Sequence, residues 1–280
     1  MEYLKSPLNY TGNKHKLLDQ IIPLFPKNIN TFYDLFGGSF TVGININANK
    51  IVYNEFNKFI AELVKYVSTC NVEEELRKID NIISKYKLSK NNKESYYFFR
   101  DNVYNKNQKP ELLFILICFS LNCTIRFNQK EMFNQSCGIR DFNKNIRNRF
   151  KKFNEIAKNK NIDFYNKDFK KFTLFTKNDF IYLDPPYNLT TTPYNETSRL
   201  GGGWTLEKEQ QMYKYIDYLN SENVKFALSN VSIYRNEENT ILNSWSKKYN
   251  VHNLNFTYKN NNSHKKDNTA LTQEVLITNY

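Results

Sequence analysis

The sequence contains few of the residues that build metal centres and disulfide-rich folds. Its 280 residues include only 4 cysteines and 3 histidines. The cysteines show no C-x-x-C spacing, which argues against a structural zinc site or a paired redox site. Isolated thiols are typical of a reducing compartment, so we expect a cytoplasmic protein that holds no metal.

Long apolar runs and an apolar leader are absent as well. The first residues lack the apolar core of a signal peptide. The most apolar run, residues 112–121, is far shorter than the roughly 20 residues that a membrane-spanning helix needs. We therefore expect no membrane association, and we interpret this run as a buried helix.

Positive charge and aromatic side chains, by contrast, are plentiful. Lysine and arginine total 40 against 28 acidic residues, which gives a formal net charge of +12, and 16% of the residues are aromatic. This balance favours a polyanionic partner, nucleic acid first. The alternative is a compositional bias toward lysine and asparagine that has no bearing on function.

One stretch joins a short apolar run to polar and rigid residues. Residues 180–183 predict a buried strand, and Asp184, Pro185, Pro186 and Tyr187 follow it directly. Each proline lacks a backbone donor and fixes φ, so the strand ends there. Because ligands bind at the carboxyl ends of strands in open α/β sheets, this stretch is a candidate active site. An ordinary proline-rich turn is the alternative.

Glycine is scarce, at 8 residues, and one glycine pair follows a predicted strand. Residues 31–34 predict a strand that ends in Asp34, and the turn that begins at Gly37 leads into a predicted helix. This order is typical of the first β-turn-α unit of a doubly wound fold. A second predicted strand, residues 50–53, ends near Glu55, where such folds bind ribose hydroxyls. Together these features favour a nucleoside-type cofactor.

A polar segment, residues 10–14, precedes the first helical pattern of the chain. Its backbone N–H groups can face a ligand at the helix start, and Lys14 adds a positive charge. The segment therefore suits a carboxylate or a phosphate, and ordinary helix capping explains it equally well.

The middle of the chain has a different character from the segments on either side. Helical patterns lie at residues 60–66, 72–86, 93–104 and 111–122. Residues 123–140 predict a β-hairpin or an irregular loop. We interpret residues 56–161 as a helical insertion, because a strand-ending acid precedes them and the next strand follows them.

The insertion also contains the most basic stretch of the chain. Its cationic residues are Arg126, Lys130, Arg140, Lys144, Arg147, Arg149, Lys151 and Lys152. Phosphate contacts are the usual role of such a stretch, and arginines on a hairpin can read guanine edges through two parallel hydrogen bonds. A solvated basic face is the alternative.

After the insertion, strands and helices alternate along the chain, which indicates a mainly parallel sheet. Strands are predicted at residues 180–183, 224–230 and 273–278, and helices at residues 207–220 and 239–248. We expect a catalytic domain formed by residues 1–55 and 162–280, with a recognition domain at residues 56–161 inserted into it. The glycines at residues 201–203 form a candidate lid.

Several separated motifs occur in one order: Tyr-Thr-Gly-Asn-Lys, Asp-Leu-Phe-Gly-Gly, Asn-Glu, a basic helical middle, Asp-Pro-Pro-Tyr and Leu-Ser-Asn-Val. Over nearly the whole chain this pattern resembles the Dam-type DNA adenine-N6 methyltransferases of the D12 class, bacterial and phage-encoded members above all. The resemblance implies a Rossmann-like, doubly wound, mainly parallel sheet with an inserted helical DNA-recognition domain that carries the hairpin. It also implies S-adenosyl-L-methionine as the cofactor and a reaction at N6 of an adenine flipped out of double-stranded DNA.

The resemblance assigns roles to individual residues. It gives catalysis to Asp184, Pro185, Pro186 and Tyr187. It places the cofactor against Tyr10, Thr11, Gly12, Lys14, Asp34, Phe36, Gly37, Glu55, Asp168, Phe169 and Asp184. It gives DNA contacts to Arg126, Asn128 and Arg140.

The chemistry of the residues fits this assignment. The exocyclic amine of adenine is a poor nucleophile because its lone pair is delocalised into the ring. The Asp184 carboxylate and the Pro185 carbonyl can accept its two N–H groups and favour a pyramidal nitrogen. Tyr187 is expected to stack on the extruded base.

Four residues depart from the family pattern. Glu55 stands where an aspartate is usual, and Ser39 replaces a frequent glycine, so both bear on cofactor affinity. Thr124 and Ser136 replace a larger apolar residue and a proline on the hairpin, so both bear on the bases beside the target. GATC, the usual recognition sequence, is therefore one candidate among others.

Two other functions stay open from the sequence. The first is the same chemistry on another amine, an RNA adenine or a protein glutamine. It is disfavoured by Asp184, where glutamine-modifying enzymes have asparagine, and by the basic hairpin. The second is a non-enzymatic DNA-binding protein on this fold, which the intact residues 184–187 disfavour. We expect a monomer or weak dimer on double-stranded DNA, in the bacterial cytosol or a phage-infected cell.

Overall fold

A central eight-stranded sheet organises the protein. The structure is a computed structural model that describes residues 2–187, 189, 203–255 and 270–280. Apart from Gly203, the candidate lid at residues 201–203 lies outside the described residues. The strands are β1 (Thr31–Asp34), β2 (Lys50–Asn54), β3 (Ile162–Tyr165), β4 (Phe180–Leu183), β5 (Lys225–Tyr234), β6 (Glu237–Glu238), β7 (Asn250–Leu254) and β8 (Gln273–Thr278).

The strand order is β3-β2-β1-β4-β5-β8-β7, and β6 pairs with β5 beside this path. The first five strands of the order run parallel, whereas β8 lies antiparallel between β5 and β7. The chain builds outward from β1 in one direction and then returns to β4 to build in the other. The predicted Rossmann-like, mainly parallel sheet is confirmed, and β1 and β4 flank its topological switch point.

The helices of the insertion and those after β4 lie close to their predicted positions, except α6, which was not predicted. They are α1 (Leu18–Ile21), α2 (Lys58–Thr69), α3 (Val72–Lys85), α4 (Lys93–Phe98), α5 (Pro110–Phe119), α6 (Lys144–Lys158), α7 (Leu206–Ser221) and α8 (Thr240–Trp245). The most apolar of these, α5, is buried as predicted. Within the described ranges, no helix has both the length and the apolar character needed to cross a membrane.

Asparagine has a structural role at the helix starts. The side-chain oxygen of one asparagine accepts a backbone N–H two or three residues onward at five helices. These asparagines are Asn57, Asn71, Asn92, Asn143 and Asn239. Each cap of this kind contributes about 1 kcal/mol relative to alanine. Part of the asparagine excess therefore stabilises the fold.

Apolar side chains cover both faces of the sheet. On one face, Phe32 and Phe180 belong to the same buried cluster as Phe114 of α5. On the other face, Ile181 packs in a second cluster with Ile216 of α7. The helices of the insertion thus share a core with the sheet, and the domain boundaries stay a prediction.

The segment after β1 differs from the prediction. The glycine turn leads into a 3₁₀ turn, Gly43–Asn45, and not into the expected helix. Asn45 donates to the carbonyl oxygens of Leu4 and Thr41 at 2.9 and 2.8 Å, and it accepts from Leu4 N–H at 2.7 Å. Asparagine is a weak helix former that favours local bonds of this kind, so the helix prediction is wrong here.

The predicted hairpin is an irregular loop with antiparallel arms. The arms pair at two isolated bridges, Ser120 with Cys137 and Phe127 with Phe133. Phe127 also stacks on Phe59 of α2, with ring centroids 4.3 Å apart. The loop is therefore fixed to the helices by its own aromatic side chains more than by a regular ladder.

Candidate active site

Two acids stand at the ends of neighbouring strands at the switch point. Asp34 ends β1, and Asp184 follows β4 directly. In the parallel pairing of the two strands, Asp34 lies opposite Tyr182, and Leu35 N–H donates to the Tyr182 carbonyl oxygen at 3.1 Å. The structure therefore brings both predicted acids to the same edge of the sheet.

Asp34 is a buried carboxyl, with 1% of its surface exposed. Its Oδ2 accepts Gly43 N–H at 3.1 Å. Burial raises the pKa of Asp34 to about 8, the Gly43 bond opposes this shift, and the charges of Asp184 and Glu55 add to it. Since an approaching cation would stabilise the carboxylate form, this position suits a positively charged ligand group.

The end of β2 fixes the glycine turn. Gly37 N–H donates to the Asn54 carbonyl oxygen at 2.8 Å, and Gly38 N–H donates to Glu55 Oε2 at 3.0 Å. Glu55 Oε1 accepts Asn57 N–H at 2.9 Å. Burial raises the pKa of Glu55 against the lowering effect of these backbone donors. The Glu55 side chain is one methylene longer than the usual aspartate, and its carboxylate reaches the glycine turn.

Gly37 leaves no room for a side chain. A Cβ at this position would lie 2.3 Å from Tyr53 Cε2, and the buried Tyr53 donates its hydroxyl to the Gly38 carbonyl oxygen at 2.8 Å. We expect Gly37→Ala to lower the free energy of unfolding by about 1 to 3 kcal/mol, measured by chemical denaturation. Tyr53→Leu withdraws the Cε2 edge, so Gly37→Ala should cost less in that background. An equal cost in both backgrounds would contradict the clash.

Tyr10 packs against the same turn. A Cβ at Gly38 would lie 3.1 Å from the Tyr10 ring. Burial raises the pKa of Tyr10 well above its usual value, and the nearby carboxylates add to the shift. Thr11 and Gly12 are exposed, and Gly12 takes a φ of +81° that favours glycine. The departure at Ser39 is accommodated, because its buried hydroxyl lies 2.9 Å from that of Thr41.

A chain of contacts surrounds Asp184. Lys14 Nζ lies 2.8 Å from Asp184 Oδ1, and the Tyr187 hydroxyl donates to the same oxygen at 3.0 Å. The Tyr187 hydroxyl also lies 3.3 Å from Oε2 of Glu274, on β8. Lys14 and Glu274 are both buried. Sequence reasoning missed Glu274, and its one signal was an acid directly before the apolar residues 275–277 of a strand.

The charges in this cluster act on one another. Burial raises the pKa of Asp184; Lys14 opposes that shift by its charge and its hydrogen bond, and Glu274 adds to it. Burial alone would lower the pKa of Lys14, but the charges of Asp184 and Glu274 outweigh it, so the pKa lies above its usual value. Lys14 therefore stays cationic and favours the carboxylate form of Asp184.

The loop after β3 carries Asp168 and Phe169. Asn54 accepts Lys167 N–H at 3.0 Å and donates to the Lys167 carbonyl oxygen at 3.1 Å. Asp168 accepts Lys170 N–H at 2.9 Å and so caps the 3₁₀ turn that follows. The end of β2 thus positions both the glycine turn and this loop.

Phe36, Phe169 and Trp204 form an aromatic cluster at this edge. The Phe36 ring centroid lies 5.3 Å from that of Phe169 and 5.5 Å from that of Trp204. Within the part of the chain that the structure describes, the buried Nε1 of Trp204 has no acceptor. Because a buried indole N–H normally finds one, the cluster suits an aromatic ligand that carries acceptor atoms. Sequence reasoning missed Trp204.

The three predicted DNA contacts lie on or beside the irregular loop. Arg126 Nε donates to Asn134 Oδ1 at 2.9 Å, which orients the guanidinium along the loop. Asn128 Oδ1 accepts two backbone N–H groups of the loop tip at 2.9 and 3.1 Å. Arg140 is exposed. These residues are not brought to the strand ends, and their roles stay predictions.

The start of the loop nevertheless lies beside the N-terminal motif. Asn9, next to Tyr10 in the chain, donates from Nδ2 to the Asn122 carbonyl oxygen at 2.6 Å. This hydrogen bond connects the loop at residues 123–140, called the basic loop below, to the segment that carries Lys14.

The topology and the strand-end acids together define a class of protein. Parallel strands on both sides of β1, with an antiparallel β8 inserted between β5 and β7, form the sheet of a class I methyltransferase. Among the described residues, no group of His, Cys, Asp and Glu side chains is suited to a metal ion.

Comparison with known proteins identifies the family. Residues 10–261 match the sequence model of the D12 class N6 adenine-specific DNA methyltransferases, and the chain belongs to that family. This confirms the resemblance drawn from the motifs.

Two relatives match almost the whole chain. The chain is 44% identical over 282 residues to the Type II methyltransferase M.FokI of Planomicrobium okeanokoites, and 41% identical over 285 residues to the modification methylase StsI of Streptococcus sanguinis. The matches cover 99% and 100% of this chain but 43% of each relative, so the chain spans less than half the length of these proteins. A DNA adenine methylase of Haemophilus influenzae is 25% identical over 73% of the chain and 71% of its own length.

Proposed function

We propose that the chain is a site-specific DNA adenine methyltransferase. It transfers a methyl group from S-adenosyl-L-methionine to N6 of an adenine flipped out of double-stranded DNA. The observation that carries the proposal is the position of Asp184 and Pro185 at the end of β4, beside Asp34 at the end of β1. Membership of the D12 class and the modification methylases among its relatives support it.

The carboxyl ends of the strands offer a matching residue to each chemical group of the cofactor. Asp34 offers a buried carboxyl with a raised pKa to a cationic group. Glu55 offers carboxylate oxygens to ribose hydroxyls, and its position is held by the Gly38 and Asn57 N–H groups. The aromatic cluster with the buried Trp204 Nε1 suits an adenine ring. We assign these residues to cofactor binding together with Tyr10, Thr11, Gly12, Lys14, Gly37, Asp168 and Asp184.

Bound S-adenosyl-L-methionine supplies an electrophilic methyl group on a sulfonium. Asp184 and the Pro185 carbonyl accept the two N–H groups of the adenine amine and direct its lone pair away from the ring. Lys14 keeps Asp184 in the carboxylate form that accepts best. Tyr187 stacks on the base and offsets part of the few kcal/mol that unstacking costs.

The direct test is transfer of labelled methyl from S-adenosyl-L-methionine to duplex DNA by the purified chain. Mapping methyladenine at single-base resolution on the product then gives the recognition sequence, with GATC as one candidate. Labelled RNA or protein in place of labelled DNA would instead support one of the alternative substrates. If neither DNA, RNA nor protein is methylated but the chain still binds DNA, the result would support a non-enzymatic DNA-binding protein.

The basic loop and the strand-end site are carried by one chain, so a single copy holds both elements that the reaction needs. On this basis we propose that the protein acts on DNA as a monomer or weak dimer. We place it in the cytosol of a bacterium or of a phage-infected cell, where the DNA and the cofactor are found.

Lys14→Met is expected to shift the acid limb of the activity profile to higher pH. Lys14 opposes the burial that raises the pKa of Asp184, so removing its charge raises that pKa further. The acceptor carboxylate is then lost at a higher pH, and activity should recover on the alkaline side. The measurement is kcat against pH.

Lys50→Met provides the matched control for this shift. Lys50 pairs with Asp163 at 2.7 Å in a partly exposed position, at the amino end of β2 and away from the carboxyl ends that form the site. The kcat–pH profile of Lys50→Met should coincide with that of the unmodified protein. If the Lys14→Met profile coincided with it as well, Lys14 would have no role in the ionisation of Asp184.

A further inference from the structure

The strand β8 places a second acid on the same face of the sheet as Asp184. Glu274 is 6% exposed, and Leu276, two residues along β8, belongs to the cluster that contains Tyr182. Since side chains two residues apart share a face of a strand, Glu274 and Asp184 both project from the Tyr182 face. Only β5 separates their strands.

Tyr187 bridges the two acids. Its hydroxyl lies 3.0 Å from Asp184 Oδ1 and 3.3 Å from Glu274 Oε2. A phenol has one hydrogen and donates to one acceptor at a time, so the two carboxylates are alternative acceptors for it. Glu274 lies on β8, and Asp184 directly follows β4. The sheet therefore holds both acceptors of the Tyr187 hydroxyl in fixed positions.

We propose that Glu274 is a positioning residue that holds the Tyr187 ring in the orientation needed to stack on the flipped adenine. The proposal rests on the function proposed above. Lys14 Nζ lies 4.9 Å from the centroid of the Tyr187 ring, so the ring is also held beside the Lys14–Asp184 pair. Glu274 itself touches neither base nor cofactor in this role.

Two substitutions at Glu274 distinguish the effect of the hydrogen-bond acceptor from the effect of side-chain shape. Glu274→Leu removes the acceptor and keeps an apolar side chain in its place. It should lower kcat about tenfold, because the Tyr187 hydroxyl is then left on Asp184 and competes with the adenine amine for that carboxylate. The KM for DNA should change by less than about twofold, because contacts with the duplex lie elsewhere. Glu274→Gln keeps an acceptor oxygen and should recover most of the rate.

A double-mutant cycle decides whether Glu274 acts through Tyr187. In the Tyr187→Phe background the hydroxyl is gone, so Glu274→Leu should change kcat by less than about twofold. The same tenfold loss in both backgrounds would overturn the proposal and leave Glu274 as support for the fold alone. Glu238→Leu, at an exposed acid of the same sheet, is the control.

The cycle can also be measured without turnover. Shifts of the denaturation midpoint that fail to add between Glu274→Leu and Tyr187→Phe support the contact, and additive shifts overturn it. Absence of methyl transfer by the unmodified chain would reject the proposed function. The denaturation cycle would still show whether Glu274 and Tyr187 interact. Transfer by the unmodified chain with an additive kcat cycle would uphold the function and reject the role of Glu274.

Discussion

Asp184→Ala is expected to lower kcat for methyl transfer to duplex DNA by about 1,000-fold or more, the scale reached when a preorganised polar group is removed from a reaction centre. The variant loses the carboxylate that accepts an N–H of the target amine, while Arg126, Arg140 and the rest of the basic loop remain. Binding of duplex DNA, measured by fluorescence anisotropy, should therefore survive. Unchanged transfer by the variant would refute the proposed mechanism.

The same substitution also acts on stability. It leaves the buried Lys14 without the carboxylate that lies 2.8 Å away, and breaking a buried pair on one side costs about 3 to 5 kcal/mol. Adding Lys14→Met should restore the denaturation midpoint and leave the enzyme inactive. Asp163→Ala, at an acid that pairs on the surface, should leave both activity and DNA binding unchanged.

Asp34→Asn is expected to weaken binding of S-adenosyl-L-methionine about 100-fold, as when one partner of a buried charge pair is removed. The asparagine can still accept Gly43 N–H, so the turn should keep its shape. Isothermal titration calorimetry of the cofactor measures the effect. An affinity equal to that of the unmodified protein would exclude Asp34 from the cofactor site.

The pH dependence provides a separate check of Asp34. Its pKa is about 8 in the free protein, raised first by burial, so at pH 7 the carboxyl is mostly protonated and must lose its proton to meet a cation. Binding should therefore tighten by about tenfold per pH unit up to pH 8 and then level off. Asp34→Asn should lack this slope.

Stability should change with pH in the opposite sense. The pKa of Asp34 is higher in the folded protein than the usual value of 3.8, so the folded state holds the proton more tightly. Its contribution to stability is complete below pH 4 and is lost as the pH rises to 8. At pH 9 the Asp34→Asn protein should therefore unfold at a higher denaturant concentration than the unmodified protein.

The parts of the site that are consecutive in the chain could be predicted from the sequence. Residues 184–187 end a strand in one continuous motif, and Asp34 with the glycine turn does the same for another. The parallel sheet then brings these strand ends to one edge without further information. Glu55 was also placed correctly at the end of β2, although its bond to the Gly38 N–H was not foreseen.

The pairings between distant residues could not be predicted. Lys14 meets Asp184, and Tyr187 meets Glu274 at a separation of 87 residues; neither spacing is encoded in a local pattern. Trp204 lacks any motif of its own. The helix expected after β1 was inferred from the usual β-turn-α order alone, and that order does not take account of the local bonds that Asn45 makes to Leu4 and Thr41.

The junction of β1 and β4 has a consequence for the order of folding. Thr31 N–H donates to Asp179 Oδ1, at the start of this junction, across 148 residues of chain. Contacts so far apart close slowly, and during synthesis β4 leaves the ribosome long after β1. The edge of β1 that pairs with β4 must therefore stay unpaired until residues 56–161 have been made. Since Asp34 and Asp184 come together only once β1 and β4 pair, the proposed methyl transfer depends on this late, long-range pairing.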